Sequence, residues 1–413
     1  MPPFRMRYLP TLLRKGALSA ALSAALSAAL SAHAQTPAPD DAFAHCLDGL
    51  RTAARAASVS DATWRAHTDT LQPDMGVVGN LDAQPEFKTP IWDYLAFLVD
   101  DERVADGAAG LRAHAEVLQR VQQRYGVDPA TVVAVWGVES NYGQGFGRTP
   151  IVRSLASLSC FGRRQAYFRT ELFAALRILQ AGHFAPERFT GSWAGAFGQT
   201  QFMPSTCERR AIDFDGDGRA DLFDSAADAL ASTAHFLQRA GWRPDLPWGF
   251  EVRLPAGFSA AGEGRRSKRP SADWRARGVR LADGSPVPEG LSLGLLTPAG
   301  VKGPAFLVTR NFDAIYSYNA AESYGLAIAH LADRLRGGGP FATPWPTDDA
   351  GLSRAERREL QAWLVVHGHH DIGAIDGLLG EKTRAAVRAE QQRLGWEVDG
   401  RAGQKLLKAL RDR

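Results

Sequence analysis

The chain has 413 residues, of which 45% are hydrophobic and 23% charged. This excludes a disordered polymer and allows two or three domains of roughly 100–200 residues. The formal charge is +3, but four of the 48 basic residues lie in the first 34 positions, which contain no acidic residue; beyond them 44 basic residues face 45 acidic ones. That balance excludes a generally basic binder of nucleic acid or of a membrane surface, because long-range attraction to polyphosphate needs a positive field.

The first 34 residues have the layout of a secretory signal peptide. A basic stretch is followed by four copies of ALSA and by AHA before Gln35. The apolar run is diluted with Ser, whereas a spanning helix needs about 20 predominantly apolar residues, which favours cleavage after Ala34. No lipidation signal precedes Cys46. We therefore expect residues 1–34 to be removed and the protein to reach the periplasm without a stable membrane anchor.

Three cysteines, Cys46, Cys160 and Cys207, form an odd set for an oxidising compartment. At most one internal pair can form, and spacing does not choose it. No CxxC motif or Cys/His cluster occurs, which disfavours zinc binding and thiol redox chemistry. Small buried thiols are the alternative interpretation.

From about residue 43 to 246 the sequence predicts a mainly helical body. Apolar positions between 111 and 121 share one face of a predicted helix that ends at Gly126. Between about 250 and 312 the pattern changes to short β-rich runs separated by Gly, Pro and a basic loop. This predicts a small sheet inserted in the helical domain.

A helical return at about 320–336 closes the first domain, predicted to span 35–338. The Gly- and Pro-rich stretch 339–350 is typical of a linker. Residues 351–413 are predicted to form a separate module.

The segment from Asp128 to Asn141 predicts an apolar helix with one charge. Asp128 and Pro129 supply an N-cap and a first-turn proline, and Glu139 is the only carboxylate or base between Asp128 and Arg148. Its neighbours on the helix are Val135, Trp136 and Val138. Desolvation there should favour a protonated carboxyl, which can act as a general acid in glycoside cleavage. The alternative is a helix-terminal glutamate turned to solvent.

A Gly-rich stretch, 191–204, interleaves small residues with amides, hydroxyls and aromatic rings. Small residues let backbone approach a ligand, and amides beside aromatic faces suit a sugar. A loop that packs one helix on another explains the stretch about as well.

Five motifs taken together resemble the lytic murein transglycosylase B family in order and spacing, over roughly residues 43–336. They are WGVESNYG, SLSCFGRRQAYFRTEL, GSWAGAFGQTQFMPST, DFDGDGRADLFD and YSYNAAESYGLAIAHL. The expected fold is α+β and mainly α: a lysozyme-like helical catalytic domain with a small β insertion, followed by a separate three-helix C-terminal domain.

The resemblance implies that Glu139 is the single catalytic acid and base. It would protonate the β-1,4 glycosidic oxygen between N-acetylmuramic acid and N-acetylglucosamine, then deprotonate the muramoyl 6-hydroxyl, which closes a 1,6-anhydro ring. A tethered nucleophile needs no second carboxylate, although folding could bring Glu171, Glu187 or Glu208 close. A hydrolytic muramidase and a non-catalytic wall-binding scaffold remain alternatives.

The resemblance also implies a substrate groove and a disulfide. Its residues would be Ser192 and Gln201 near Glu139, stacking walls from Tyr94, Phe146, Tyr318 and Tyr324, polar contacts from Asn319, Arg163 and Arg164, and Phe236, where family members can carry Tyr. Core packing is the alternative for each aromatic ring. Cys46 would pair with Cys160 and leave Cys207 unpaired.

The acidic loop 213–228 has the spacing of a calcium loop. Asp213, Asp215 and Asp217 occupy positions one, three and five, Gly218 stands at position six, and Arg219 would offer its carbonyl. The twelfth residue is Asp224 rather than Glu, and the resemblance favours Asp228 as the closing ligand. We expect a structural Ca²⁺ and no cofactor for the chemistry; an Asx-rich turn is the alternative.

The C-terminal module contains two related helix-loop units with turns at Asp376-Gly377 and Asp399-Gly400. It resembles the peptidoglycan-binding domain 1 family, which implies anchoring to wall glycan strands. His367, His369 and His370 lack metal-site spacing and are expected to be exposed loop residues. The expected partners are glycan strands and the wall synthesis or division machinery, with the protein a monomer.

Overall fold

The computed structural model describes residues 39–82 and 89–412; the predicted signal peptide lies outside them. The helices are α1 Pro39–Ala56, α2 Asp61–Thr68, α3 Met75–Gly79, α4 Ile91–Leu98, α5 Asp101–Ala113, α6 Ala115–Tyr125, α7 Pro129–Ser140, α8 Ile151–Cys160, α9 Gln165–Gln180, α10 Pro204–Arg210, α11 Ala226–Arg239, α12 Ser271–Ala276, α13 Arg310–Asn319, α14 Glu322–Leu335, α15 Arg354–Val366, α16 Glu381–Arg393 and α17 Gln404–Arg411. The strands are β1 Thr149–Pro150, β2 Thr190–Gly191, β3 Gly249–Arg253, β4 Arg269–Pro270, β5 Arg280–Leu281, β6 Ser292–Leu296 and β7 Ala305–Val308. The α+β, mainly α expectation is confirmed.

One predicted helix is two helices in the structure. The chain turns at His114, so that Leu111 ends up on α5 and Val117, Leu118 and Val121 on α6. His114 leaves helical geometry with φ −112° and ψ 22°, and its backbone N–H bonds back to the carbonyls of Arg112 and Gly110. Nothing at this position in the sequence signals a stop, because neither Gly nor Pro stands there.

Two hydrophobic cores make up the helical body. The first surrounds α7 and α14, where Val132, Val133, Ala329 and Leu331 are fully buried. The second holds α1, α2, α8 and α9 together. A disulfide joins Cys46 on α1 to Cys160 at the end of α8, with 5.8 Å between the Cα atoms, and Cys207 is free and buried.

The inserted sheet is antiparallel, with strand order β4-β6-β7-β3-β5. Its central strands are buried on both faces: Phe306 and Val308 face the first helical core, while Ala305 and Leu307 face a small outer core around Trp274. Alternating side chains point to opposite faces of a strand, so two covered faces explain why these strands read as continuous apolar runs.

The C-terminal helices α15, α16 and α17 enclose their own core around Leu360, Leu364 and Leu407. Its two loops are built alike. The side chain of Gln361 accepts from the Gly377 N–H at 2.7 Å, and that of Gln391 accepts from the Gly400 N–H at 2.8 Å. Each amide also donates to the preceding aspartate of its loop.

The predicted linker is packed against the first domain. The Phe341 ring lies 3.9 Å from that of His330, and Glu251 accepts from the backbone N–H groups of Ala342 and Thr343 at 2.7 Å each. The described chain from Pro39 onwards accordingly forms one compact unit. None of its described helices combines the length and the apolarity that crossing a membrane requires.

Candidate active site

Glu139 stands one residue before the end of α7. The Asp128 side chain caps this helix by accepting from the Thr131 N–H at 3.1 Å, and Pro129 occupies its first turn, as the sequence predicts. Val135 and Trp136 are buried, whereas Glu139 itself is half-buried. The helix is apolar all round because it passes through the first core, and its two ends, at Pro129 and at Val138 and Glu139, are half-buried.

The turn after α7 is strained. Asn141, Tyr142 and Gly143 have consecutive positive φ angles of 48°, 59° and 79°. Left-handed backbone costs a non-glycine residue about 1–3 kcal/mol and persists where the surroundings impose it. Here the Tyr142 ring lies against Gly137, where a Cβ would come within 2.5 Å of it, and its hydroxyl donates to the Arg103 carbonyl at 2.6 Å.

Tyr324 on α14 brings a hydroxyl to the carboxyl of Glu139, donating to Oε1. Tyr324 is 2% exposed, and its ring stacks with that of Tyr318 at 6.3 Å between centroids. Burial raises the pKa of both phenols well above the ordinary value, and the nearby Glu139 carboxylate raises it further. Tyr324 therefore stays a hydrogen-bond donor across the pH range in which a carboxyl titrates.

An aromatic wall continues from Tyr324 between the two cores. Tyr318 packs on Phe236 at 4.6 Å and on Phe202 at 5.7 Å. Phe236 and Tyr318 contact both helical cores, which places the wall at their junction. The side chain of Tyr94, half-buried on α4, acts electrostatically on Tyr324 and so belongs to the same region.

Two other predicted residues, Gln201 and Ser192, lie on the 191–204 loop, which faces the turn after α7. Gln201 has φ 49°, and its amide donates to the carbonyls of Phe146 and Gly198 at 3.2 and 2.9 Å. Ser192 closes a tight turn by accepting from the Ala196 N–H at 3.1 Å. Phe146 packs edge-on against Phe223.

The remaining predicted contacts have other surroundings. Asn319 is exposed at the end of α13. Arg163 donates to the carbonyl of Leu81, and the Arg164 guanidinium lies 4.4 Å over the Tyr167 ring. Both arginines follow Cys160 closely, in the part of the domain that contains the disulfide. Their roles in substrate binding stay predictions.

Gln199 was missed by the sequence reading. It is 6% exposed; its side-chain oxygen accepts from the Trp136 indole at 2.9 Å and its amide donates to the Phe223 carbonyl at 3.0 Å. The Gln199 carbonyl also accepts from the Ser140 hydroxyl at 2.8 Å. Gln199 thus ties α7 to the 191–204 loop. The only local signal was one more amide in a polar stretch.

Of the other acidic residues that the sequence left open, two have partners elsewhere and one is exposed. Glu171 is buried and accepts from the Ser205 N–H and hydroxyl at 2.9 and 2.8 Å. Glu208 forms a two-pronged ion pair with Arg177. Glu187 is exposed. The contacts of Glu171 and Glu208 account for their side chains without Glu139.

The acidic loop gathers carboxylates as its spacing predicts. One oxygen each from Asp213, Asp215 and Asp217 lie within 4.8 Å of one another. Asp213 also accepts from the N–H groups of Gly216 and Gly218, which curls the loop around the cluster. A carboxylate has about four acceptor positions, so these bonds leave capacity for a cation.

The two candidates for closing the loop behave differently. Asp224 is held away by a two-pronged ion pair with Arg188, at 2.8 Å for both contacts. Asp228 is buried and accepts from the N–H groups of Phe214 and Asp221, which joins the two ends of the loop. Burial raises its pKa. It lies outside the three-carboxylate group, so ligation by Asp228 stays a prediction.

Comparisons with known proteins agree with the motifs. Residues 42–333 match the family described as Transglycosylase SLT domain, and residues 353–410 match a peptidoglycan binding domain. The chain is 31% identical over 286 residues to membrane-bound lytic murein transglycosylase B of Escherichia coli (strain K12), covering 66% of this chain and 72% of that protein.

Solved structures extend the likeness to the fold. SltB3 from Pseudomonas aeruginosa, in complex with NAG-anhNAM-pentapeptide, is 46% identical, with a TM-score of 0.71 covering 89% of this chain and 99% of that one. The Escherichia coli lytic transglycosylase SLT35 in complex with calcium is 26% identical, with a TM-score of 0.61 covering 72% and 93%. The chain belongs to the transglycosylase SLT domain family, with a peptidoglycan-binding domain at its C-terminal end.

Proposed function

We propose that the protein is a peptidoglycan lytic transglycosylase. It cleaves the β-1,4 bond between N-acetylmuramic acid and N-acetylglucosamine and leaves a 1,6-anhydromuramoyl end. The observation that carries the proposal is the carboxyl of Glu139, bonded to the Tyr324 hydroxyl beside an aromatic wall, in a chain of this family. The complex of SltB3 with NAG-anhNAM-pentapeptide supports the anhydro product.

Glu139 serves as acid and then as base. Its proton passes to the glycosidic oxygen as the bond from the muramoyl C1 breaks. The resulting carboxylate takes the proton of the muramoyl 6-hydroxyl, whose oxygen bonds to C1. No water is consumed, and Glu139 ends protonated as it began. The attacking oxygen belongs to the substrate, so its effective concentration is high and a second carboxylate is unnecessary.

Tyr324 keeps the carboxyl oriented during this cycle. Its hydroxyl donates to Oε1 of Glu139, and its raised pKa keeps the proton on the phenol. One carboxyl oxygen is thereby fixed, which fixes the plane of the group. We assign the sugar-facing roles to the aromatic wall and to Ser192, Gln201 and Asn319, with Arg163 and Arg164 at the peptide or lactyl side.

Digestion of purified sacculi tests this function. We expect wild-type protein to release muropeptides with anhydro ends, detected by mass spectrometry. Glu139→Gln keeps an oxygen that accepts from Tyr324 but cannot give up a proton to the leaving oxygen, so turnover should fall by about 10³-fold or more. Reducing ends that incorporate labelled water would instead establish a hydrolytic muramidase.

A wall-binding scaffold without catalysis makes a different prediction. In that case Glu139→Gln and wild type would leave sacculi equally intact while binding them equally. Sedimentation with sacculi measures the binding, and circular dichroism shows that both proteins are folded. The C-terminal module would hold the protein on wall strands in either case.

We place the protein in the periplasm, as a monomer released from its signal peptide, in reach of wall synthesis or division machinery.

We also propose a structural Ca²⁺ in the 213–228 loop. Asp213, Asp215 and Asp217 would hold it with the Arg219 carbonyl, and Asp228 would close the loop after giving up a backbone bond. The hard oxygen donors suit calcium, and the related SLT35 was solved in complex with calcium. Calorimetric titration should show one calcium site in wild type and none in Asp215→Asn, and a wild type without a site would contradict the proposal.

A further inference from the structure

The C-terminal module reaches the end of the catalytic helix through one arginine. Arg354, the first residue of α15, is only 12% exposed at its side chain. Its guanidinium donates to both carboxylate oxygens of Asp100, at 2.9 and 3.0 Å, and to the side-chain oxygen of Asn141 at 2.9 Å. A planar guanidinium can serve two such partners at once, which an ammonium cannot do in the same geometry.

Asn141 lies two residues after Glu139 and ends α7. Its N–H bonds back to the Gly137 carbonyl at 3.1 Å, and its left-handed conformation begins the strained turn. The orientation of this residue decides how the last turn of the helix closes. Glu139 belongs to that turn, so a shift of Asn141 moves the catalytic carboxyl.

A second arginine, Arg103, also contacts Asp100. Asp100 accepts from the backbone N–H of Arg103 at 2.7 Å, and the Arg103 guanidinium donates to the Gly137 carbonyl. The Tyr142 hydroxyl donates to the backbone carbonyl of the same Arg103. Asp100 is 3% exposed at its side chain, and its buried carboxylate is stabilised by the Arg354 guanidinium together with the Arg103 N–H.

We propose that Arg354 is a positioning residue for catalysis: by holding Asp100 and Asn141 it fixes the turn after α7, so that the docked module sets the orientation of Glu139. The module then acts on the chemical step as well as on wall binding. The inference rests on the proposed function, since it concerns the same carboxyl.

Docking does not depend on Arg354 alone. Arg401, in the second loop of the module, forms a two-pronged ion pair with Asp93 at 2.8 Å for both contacts. Arg357 lies 4.2 Å over the Phe97 ring. These contacts are made to α4 rather than to Asn141. Loss of the Arg354 side chain should therefore leave the module in place while freeing the turn.

The test compares kcat and KM of full-length variants on soluble, uncrosslinked glycan strands. Arg354→Gln should lower kcat by about 10- to 100-fold, the size expected for misplacement of a catalytic group, with KM near that of wild type. Arg358→Gln is the matched control, because Arg358 lies on the same helix and pairs with the exposed Glu102. It should leave both constants unchanged.

Asn141→Gly removes the contact without touching the module, since glycine adopts a φ of 48° freely. It also removes the bond from the Asn141 amide to the Gln144 side-chain oxygen at 3.0 Å, and Gln144→Ala, which loses that bond but keeps the contact with Arg354, is its control. We expect the same fall in kcat for Asn141→Gly, and no further fall in the Arg354→Gln/Asn141→Gly double variant. Independent, multiplying effects, or an unchanged kcat in Asn141→Gly, would overturn the inference. Should Arg354→Gln fail to fold, Asn141→Gly decides alone. A wild-type protein that forms no anhydro product would refute the proposed function instead.

Discussion

The end of the catalytic helix and the acidic loop are both polar clusters, but their partners come from different distances along the chain. Glu139 and Tyr324 are 185 residues apart, and Arg354 and Asn141 are 213 apart. In the acidic loop, Phe214 and Asp228 are 14 residues apart. The first cluster joins residues from distant parts of the chain, whereas the second is built from residues close in sequence. We therefore expect changes in the first to alter rate and changes in the second to alter stability.

The largest effect, after loss of Glu139 itself, is expected from Tyr324→Phe. The ring stays and the donor to Glu139 disappears, so kcat should fall by about 100-fold, as for loss of one positioned donor in an active site. Tyr318→Phe is the comparison, because it keeps its ring in the aromatic wall and removes only a hydroxyl that donates to the Thr200 carbonyl at 2.9 Å rather than to Glu139. It should cost about 1 kcal/mol of unfolding free energy and little rate. Equal kcat losses in the two variants would contradict a specific role for Tyr324.

Gln199→Leu should combine a smaller loss of rate with a loss of stability. It removes the acceptor of the buried Trp136 indole and the donor to Phe223, and each group left unsatisfied costs about 1–3 kcal/mol. Denaturant unfolding and steady-state kinetics on the same preparations measure both effects. Gln180→Leu is a suitable control, because the exposed Gln180 bonds to the backbone at Ser58 and Ser60 rather than to α7. A Gln199 variant as stable as wild type would show that the tie is not structural.

In the acidic loop, we expect substitutions to lower stability and to leave the rate unchanged. Saturating calcium, at a hundred times its dissociation constant, would stabilise the wild type by about 2.7 kcal/mol through linkage, and Asp215→Asn should lose this gain. Thermal unfolding with calcium and with chelator measures it. We expect kcat on glycan strands to be equal in the two proteins below their unfolding temperatures. A calcium-dependent kcat would instead assign the loop a role in catalysis, and the loop would then not differ in this respect from the end of the catalytic helix.

Local rules predicted several features well. The N-cap at Asp128, the first-turn proline and the uninterrupted apolar run are enough to place α7 with Glu139 at its end. The break at His114 was missed, because that stop depends on how α5 and α6 pack rather than on a breaker residue. The stretch 339–350 has linker composition, yet the Phe341 ring and the N–H groups of Ala342 and Thr343 contact the first domain. Composition reports chain stiffness, and it does not report what a segment packs against.

The sequence by itself determined the helical body, the inserted strands, the one charge on α7 and the alternating carboxylates of the acidic loop. These follow from periodicity, capping and spacing, which act within a few turns of chain. Only the tertiary structure decided which hydroxyl reaches Glu139, that Gln199 ties the loop to the helix, and that Arg354 meets Asn141. Such contacts join residues whose positions depend on the packing of entire helices, because a side chain's partner is set by where the backbone carries it.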